Sequence, residues 1–150
     1  DGINALAGHM DEWERRRGRV TVLTPHEGEF LRVGGDLSQG RTAAATEFAH
    51  QSGAVVVLKG PGTVVAGPDG RCRVNTTGNC GMAKGGSGDV LSGVVLALLG
   101  LGMDAFDACC CAVWLHGRAG DLAAQEKGQW GMTPTDLLER LPQALREVTE

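Results

Sequence analysis

Two β-branched apolar runs mark the first half of the chain, Arg19-Val20-Thr21-Val22-Leu23-Thr24, closed by Pro25, and Ala54-Val55-Val56-Val57-Leu58-Lys59, closed by Gly60-Pro61-Gly62. Each is nearly continuous rather than alternating, the pattern of a parallel strand buried on both faces. Between them Ser38 is placed to cap a helix running to about His50, whose alanines Ala43, Ala44 and Ala45 allow close packing on a sheet. Upstream, the chain opens as the end of a strand leading into a helix over Ala5–Arg17. Downstream, Thr63–Ala66 and Arg71–Asn75 flank Gly67-Pro68-Asp69-Gly70, whose turn residues predict a hairpin and an antiparallel tail on the sheet.

The second half reads as helices. Val90–Leu99 is apolar all round, which predicts a buried helix. Asp104 is a cap for a helix through about Ala124, and Thr133-Pro134 supplies a cap and a proline at the first helical position for a helix over Thr135–Val148. Strand, helix, strand, hairpin, loop and three helices in that order predict an α/β domain with a mostly parallel sheet. Two long strands fall short of the usual five or six. Residues 1–150 are therefore expected to be a single partial domain, lacking something upstream. An open sheet edge would follow, and with it a homo-oligomer or poor solubility.

Composition narrows the function. A chain of 150 residues with 42% hydrophobic side chains can bury roughly 68–70% of its unfolded surface. A net charge of −4 gives no footprint for nucleic acid, and Arg15-Arg16-Arg17 with Arg19 reads as a solvated helix end. No run reaches the ~18 apolar residues of a membrane span, and Asp1-Gly2-Ile3-Asn4 has no signal-peptide pattern. A cytoplasmic protein without a membrane partner is expected. The five cysteines, Cys72, Cys80, Cys109, Cys110 and Cys111, contain no CxxC pair. On a helix the three neighbours would point about 100° apart and could not share a metal, so they read as small buried hydrophobes in a reducing compartment.

Chemistry concentrates in Gly78-Asn79-Cys80-Gly81-Met82-Ala83-Lys84-Gly85-Gly86-Ser87-Gly88-Asp89, directly before the apolar helix. Its glycines let consecutive amides point into one concavity, and the helix start adds free N–H groups and a positive dipole end, together an anion cradle. Asp89, in the first turn, serves either as a helix cap or as a base taking a proton from a nearby hydroxyl. The loop lacks the GKS or GKT of a Walker A motif and does not fit GxGxxG.

Gly81-Met82-Ala83-Lys84-Gly85-Gly86-Ser87-Gly88-Asp89-Val90-Leu91-Ser92-Gly93 closely resembles the signature of the ADP/ATP-dependent NAD(P)H-hydrate dehydratases, of the ribokinase-like superfamily. Leu23-Thr24-Pro25-His26-Glu27-Gly28-Glu29-Phe30 is similar to that family's second signature and Leu58-Lys59-Gly60-Pro61-Gly62-Thr63 to its nucleotide-binding turn. Asp1–Leu6 and His116-Gly117-Arg118-Ala119-Gly120-Asp121 extend the resemblance to both ends. It implies the later half of a ribokinase-like three-layer α/β/α domain.

By that resemblance, Lys59, Gly60, Pro61, Gly62, Thr63 and Gly88 bind the adenine nucleotide. Gly85, Gly86, Ser87 and Gly88 form the anion hole, Asp89 is the catalytic base, and His26 and Asp89 touch the hydrated nicotinamide. The implied reaction returns hydrated NADH or NADPH to NADH or NADPH at the expense of ADP or ATP. Mg²⁺ is expected on the nucleotide phosphates, with no protein metal site, and an NAD(P)HX epimerase as a fused or separate partner. A vitamin-precursor kinase of the same superfamily would keep the anion hole and base but release a phosphorylated product. A truncated, non-catalytic nucleotide-binding module is the other alternative. Lys84 either reaches phosphate or is solvated, with the solvated reading preferred. His9, His50 and His116 read as structural or surface residues. Glu27 and Glu29 either orient His26 or begin a helix.

Overall fold

A computed structural model of the chain describes residues 2–149, which divide into two compact units, the first ending at Asn75 and the second beginning at Thr76.

The first unit holds a four-stranded sheet in the order β1 (Val22–Leu23), β2 (Val55–Leu58), β3 (Val64–Ala66), β4 (Cys72–Val74). β1 and β2 are parallel, with Val22 opposite Val55 and Leu23 opposite Val56. β2–β3 and β3–β4 are antiparallel, so the hairpin forms as expected and the sheet is mixed, with one parallel pair. The first strand is far shorter than 19–24: Val20 is exposed, and beyond Leu23 the ladder meets Pro25, which has no N–H to give. Its carbonyl still accepts Lys59 N at 2.8 Å.

Two further expectations in this unit fail for local reasons. The helix over Ala5–Arg17 divides into α1 (Gly2–Ala5) and α2 (Met10–Arg15), because backbone bonds spaced three residues apart replace helical ones across Leu6–His9. Gly2–Asn4 are therefore helical rather than the end of a strand; Asp1 lies outside the described residues. α3 is Glu27–Arg32 and α4 Arg41–Ser52. Ser38 does not cap α4: its amide and hydroxyl both donate to Asp36, at 2.8 and 2.9 Å, and Gly40 stands at the cap. Nor is the arginine cluster only a solvated end, since Arg17 donates to Gln51 O at 3.1 Å, near the C-terminus of α4 where a cation is favoured.

The core of this unit follows from strand alternation and helix spacing. Val56, Leu58, Val64 and Ala66 pack with Trp13, Phe30, Phe48, Ala45 and Ala49. Phe48 lies 5.2 Å from Phe30 and 6.3 Å from Trp13, centroid to centroid, the latter edge-on. Ala44 and Ala45 are buried and Ala43 is exposed, as the 100° step of a helix requires. Val55, Val57 and Val65, on the opposite faces, are also buried, which accounts for the unbroken apolar run in β2.

The second unit is helical: a 3₁₀ turn at Cys80–Met82, then α5 (Ser87–Gly100), α6 (Ala105–Gly131) and α7 (Pro134–Thr149). Leu115, Ala119, Leu122 and Ala144 form one cluster with Val94, Trp114 and Leu141, and Ala123, Met132 and Leu137 another with Met82. Asp104 caps α6 as expected, accepting from Phe106 N and Asp107 N. α6 continues beyond Ala124, and its last residues follow non-helical angles at Gly128 (φ 72°, ψ 156°). α5 is not buried all round: Leu91 and Val95, one turn apart, face inward, while Leu96 is 71% exposed. The five cysteines are free; Cys109, Cys110 and Cys111 fan around α6, with Cys109 buried and Cys111 exposed, and Cys80 in the 3₁₀ turn is exposed too, so burial is not their common role.

Candidate active site

The sequence-predicted site residues fall into two groups, one in each unit. In the first unit the C-terminal ends of β1 and β2 place His26 beside Lys59, opposite each other in a parallel bridge, where ligands of parallel sheets commonly bind. His26 caps α3 in a reciprocal box: its Nδ1 accepts Glu29 N at 3.3 Å, and Glu29 Oε2 accepts His26 N at 2.9 Å. Because Nδ1 accepts, the ring proton of the neutral imidazole sits on Nε2, which faces Glu29 Oε2 at 3.6 Å. Lys59 Nζ lies 4.0 Å from the same carboxylate. Partial burial pushes the Glu29 carboxyl up, but the His26 amide, with Lys59 and the His26 ring, outweighs it and holds the group below its ordinary value. Glu29 therefore orients His26.

Glu27 has a different task. It pairs with Arg41 at 2.5 Å, and Arg41 also donates to Leu58 O at 2.9 Å, the last carbonyl of β2. The guanidinium fills the space over Gly60, where an added Cβ would stand 2.3 Å from an Arg41 nitrogen. Gly60 adopts φ 149° and Gly62 φ 63°, so the turn needs residues without Cβ for both conformation and room. Thr63 Oγ1 closes it by donating to Gly60 O at 3.1 Å. Pro61 and Gly62 are exposed, leaving this turn open to a ligand.

In the second unit the glycine loop is held from below. Asp121 accepts Gly78 N and Asn79 Nδ2, each at 3.0 Å, and Asn79 Oδ1 caps Gly81 N. Gly86, at φ 97°, turns the chain into α5, and nothing lies within 4 Å of the position a Gly85 Cβ would take. Ser87 Oγ is buried with no hydrogen-bond partner among the described residues. Asp89 is exposed in the first turn of α5, at its positive dipole end. The arrangement sets an unpartnered hydroxyl, an open glycine turn and a carboxylate side by side at the start of α5, chemistry that can receive an anion. Lys84 is exposed, as expected of a solvated residue, but its ammonium does not hang free: it donates to the carbonyls of Gln129, Trp130 and Met132.

Four contributors were not singled out by the sequence reading. Arg41 carries no local signal, because the Leu58 carbonyl it binds lies 17 residues away; Asp121, whose partner Gly78 lies 43 residues away, was quoted only as the end of the His116–Asp121 motif and given no role. His116 Nε2 donates to Ser87 O at 2.9 Å, a contact that its place in the His116–Asp121 motif could have suggested. Gly128 shapes the carbonyls that Lys84 binds. Among the described residues no group of three His, Cys, Asp or Glu is placed to hold a metal, and no helix is long and apolar enough to cross a membrane.

Comparison with known proteins identifies the family and the fold. The family model for NAD(P)H-hydrate dehydratase matches residues 1–143. The bifunctional NAD(P)H-hydrate repair enzyme Nnr of Thermofilum pendens is 47% identical over the whole chain, which covers 29% of that protein. The structure of ADP/ATP-dependent NAD(P)H-hydrate dehydratase from Bacillus subtilis, co-crystallised with ATP/Mg²⁺, is 40% identical with a TM-score of 0.81, over 86% of this chain and 48% of that one. A ribokinase-like superfamily protein of Enterococcus faecalis is 30% identical, with a TM-score of 0.70 over 84% of this chain and 44% of its own. The chain thus spans half or less of the length of these relatives. Its fold is ribokinase-like α/β, and it belongs to the NAD(P)H-hydrate dehydratase family.

Proposed function

We propose that this chain carries the nucleotide-binding and catalytic residues of an ADP/ATP-dependent (S)-NAD(P)H-hydrate dehydratase, a hydro-lyase that repairs hydrated NADH and NADPH. The observation that carries the reading is Asp89 at the positive end of α5, next to the turn made by Gly86, in a chain of this family. Phosphoryl transfer needs donors that meet charge on the moving group and a base for the attacking hydroxyl, and this loop supplies both.

In this reading Lys59, Gly60, Pro61, Gly62, Thr63 and Gly88 bind the adenine nucleotide, and Gly85, Gly86, Ser87 and Gly88 form the anion hole. His26, its ring fixed by Glu29, contacts the hydrated nicotinamide. Asp89 takes the proton of the ring hydroxyl as that oxygen bonds to the terminal phosphorus and the bridging P–O bond breaks, releasing AMP or ADP. Loss of the phosphorylated oxygen with a ring proton then yields phosphate and NADH or NADPH.

The described side chains offer no metal cage, so Mg²⁺ would ride on the nucleotide phosphates, with Asp89 the carboxylate of the loop itself. Bound there, it offsets phosphate charge. Residues 1–150 are read as the later part of one cytoplasmic catalytic domain that forms a homo-oligomer and works with an NAD(P)HX epimerase, fused or separate.

The test is recovery of NADH absorbance from hydrated NADH by the full natural chain with ADP or ATP and Mg²⁺. Nucleotide-dependent recovery is expected. A folded, nucleotide-binding protein that restores no NADH would overturn the reading and favour a small-molecule kinase.

A further inference from the structure

The glycine loop is fastened to the broken end of α6 and its Met132 cap by four hydrogen bonds, and it packs closely against that segment and the start of α7. Lys84 Nζ donates to Gln129 O at 3.4 Å, to Trp130 O at 2.9 Å and to Met132 O. Cys80 Sγ donates to Gln129 Oε1 at 2.7 Å. Gly81 lies so close to the same segment that a Cβ there would stand 2.5 Å from Gln129 O, and a Cβ on Gly86 would stand 3.2 Å from Pro134 Cγ. Carbonyls at a helix end lack helical partners, and the break at Gly128 turns residues 129–132 off the helical path, which sets the direction these carbonyls face. On the far side the segment is anchored by Asp136, which accepts from Thr133 N, Thr133 Oγ1 and Lys127.

An ammonium has three protons, and here three carbonyls receive them. A lysine so satisfied, at the negative end of a helix, has little to gain by turning toward a phosphate. Its residue is also the immediate neighbour of Gly85, the first of the anion-hole glycines, whose backbone is intrinsically free. Something outside the loop must fix the direction of those amides, and Lys84 ties down the residue that precedes them.

We infer that Lys84 is a positioning residue: by clamping the loop to the Gly128 break it presets the amides of Gly85, Gly86, Ser87 and Gly88 before any nucleotide arrives, and it does not itself bind phosphate. The catalytic consequence rests on the dehydratase reading; the clamp does not.

The test compares Lys84→Met, Lys84→Arg, Gly128→Ala and the Lys84→Met/Gly128→Ala pair in the full natural chain. Amide hydrogen exchange over 84–88 should speed up by roughly tenfold or more in Lys84→Met, as expected when hydrogen bonds to a charged donor are lost. Gly128→Ala should do the same, since alanine resists φ 72° and draws the carbonyls back toward the helix. The double variant should exceed neither single one by much, because both break one device. Lys84→Arg should recover most of the protection. Turnover should fall in Lys84→Met together with the faster exchange, and ADP affinity should drop more than adenosine affinity, because the loosened amides meet phosphate and not the nucleoside. Unchanged exchange in Lys84→Met with ADP affinity falling far more than adenosine affinity would overturn the inference, making Lys84 a phosphate ligand. Additive effects in the double variant would also overturn it. If Lys84→Met fails to fold, the exchange of Gly128→Ala and Lys84→Arg decides. Should the parent restore no NADH while the exchange pattern holds, the clamp stands and only the dehydratase reading falls.

Discussion

His26 and Glu29 hydrogen-bond each other in both directions across the first turn of α3, ring nitrogen to amide at 3.3 Å and amide to carboxylate at 2.9 Å. The capping box gives a residue expected to touch substrate a second duty in the fold. Glu29→Ala removes one half of the box and the carboxylate that faces Nε2, and should lower stability by about 1 kcal/mol, as loss of a helix cap does. Urea unfolding of the full chain measures this. An unchanged midpoint would mean that α3 starts without help from the box.

Asp89 makes a different demand. It is exposed and caps nothing in α5, whose cap residue is Gly86, so Asp89→Asn should leave folding and nucleotide binding intact. Turnover should fall by about 10²–10⁴-fold if Asp89 is the base. Calorimetric titration with ADP beside the NADH assay separates the two effects. Equal turnover in the parent and the variant would remove Asp89 from the chemistry.

Gly60 and Arg41 share one space, and a Cβ on Gly60 would stand 2.3 Å from the guanidinium. Gly60→Ala should therefore cost about 1–3 kcal/mol through strain and displacement of Arg41. In an Arg41→Ala background the clash is gone, so the second cost should be smaller and the pair non-additive. Thermal melts of the four proteins of this cycle give the coupling, and strict additivity would show that Arg41 moves aside freely.

What the sequence made legible was local. The apolar run at Val55–Leu58, the turn Gly67–Gly70 and the cap at Asp104 are governed by near neighbours, and the structure follows them; α7 starts at Pro134, but the Thr133 hydroxyl donates to Asp136 instead of capping the helix. The glycine loop with Asp89 was legible for the same reason, since its chemistry lies in consecutive residues. Ser38 misled because its side chain found Asp36, a partner two residues away that competes with any helix cap. Lys84 and Arg41 were not legible, because their acceptors are carbonyls brought in from 48 and 17 residues away, and a carbonyl leaves no mark on the sequence. The apolar pattern of Val90–Leu99 set the helix but not its burial: Leu96 lies on the outward face.

Acid should expose the anchor of the 128–134 segment. Hydrogen bonds from Lys127 and from the side chain and amide of Thr133 hold the Asp136 carboxyl down at about 2, against an ordinary 3.8. A depressed carboxyl stabilises the fold above its unfolded value and loses that contribution as pH falls. Parent and Asp136→Asn should therefore differ in stability at neutral pH and converge between about pH 4 and pH 2. Urea midpoints across that range test this, and a gap that persists at pH 2 would show that the carboxylate's charge is not what holds the segment.

The cysteine run supplies a test of helix orientation that needs no assay of function. Burial, with lesser contributions from Cys110 and Asp104, pushes the Cys109 thiol up to about 12, whereas Cys80 and Cys111 are exposed. The thiolate is the reactive form, so at pH 8 only about one Cys109 in 10⁴ is ionised, and that one is closed off from reagent. Brief alkylation followed by peptide mass spectrometry should mark Cys80 and Cys111 in the native protein and Cys109 only after denaturation. Because the step from Cys109 to Cys111 turns the helix by about 200°, their contrast reports which face of α6 is buried. Equal labelling of the two in the folded protein would place Cys109 at the surface and with it the buried face that Ala112 and Val113 share.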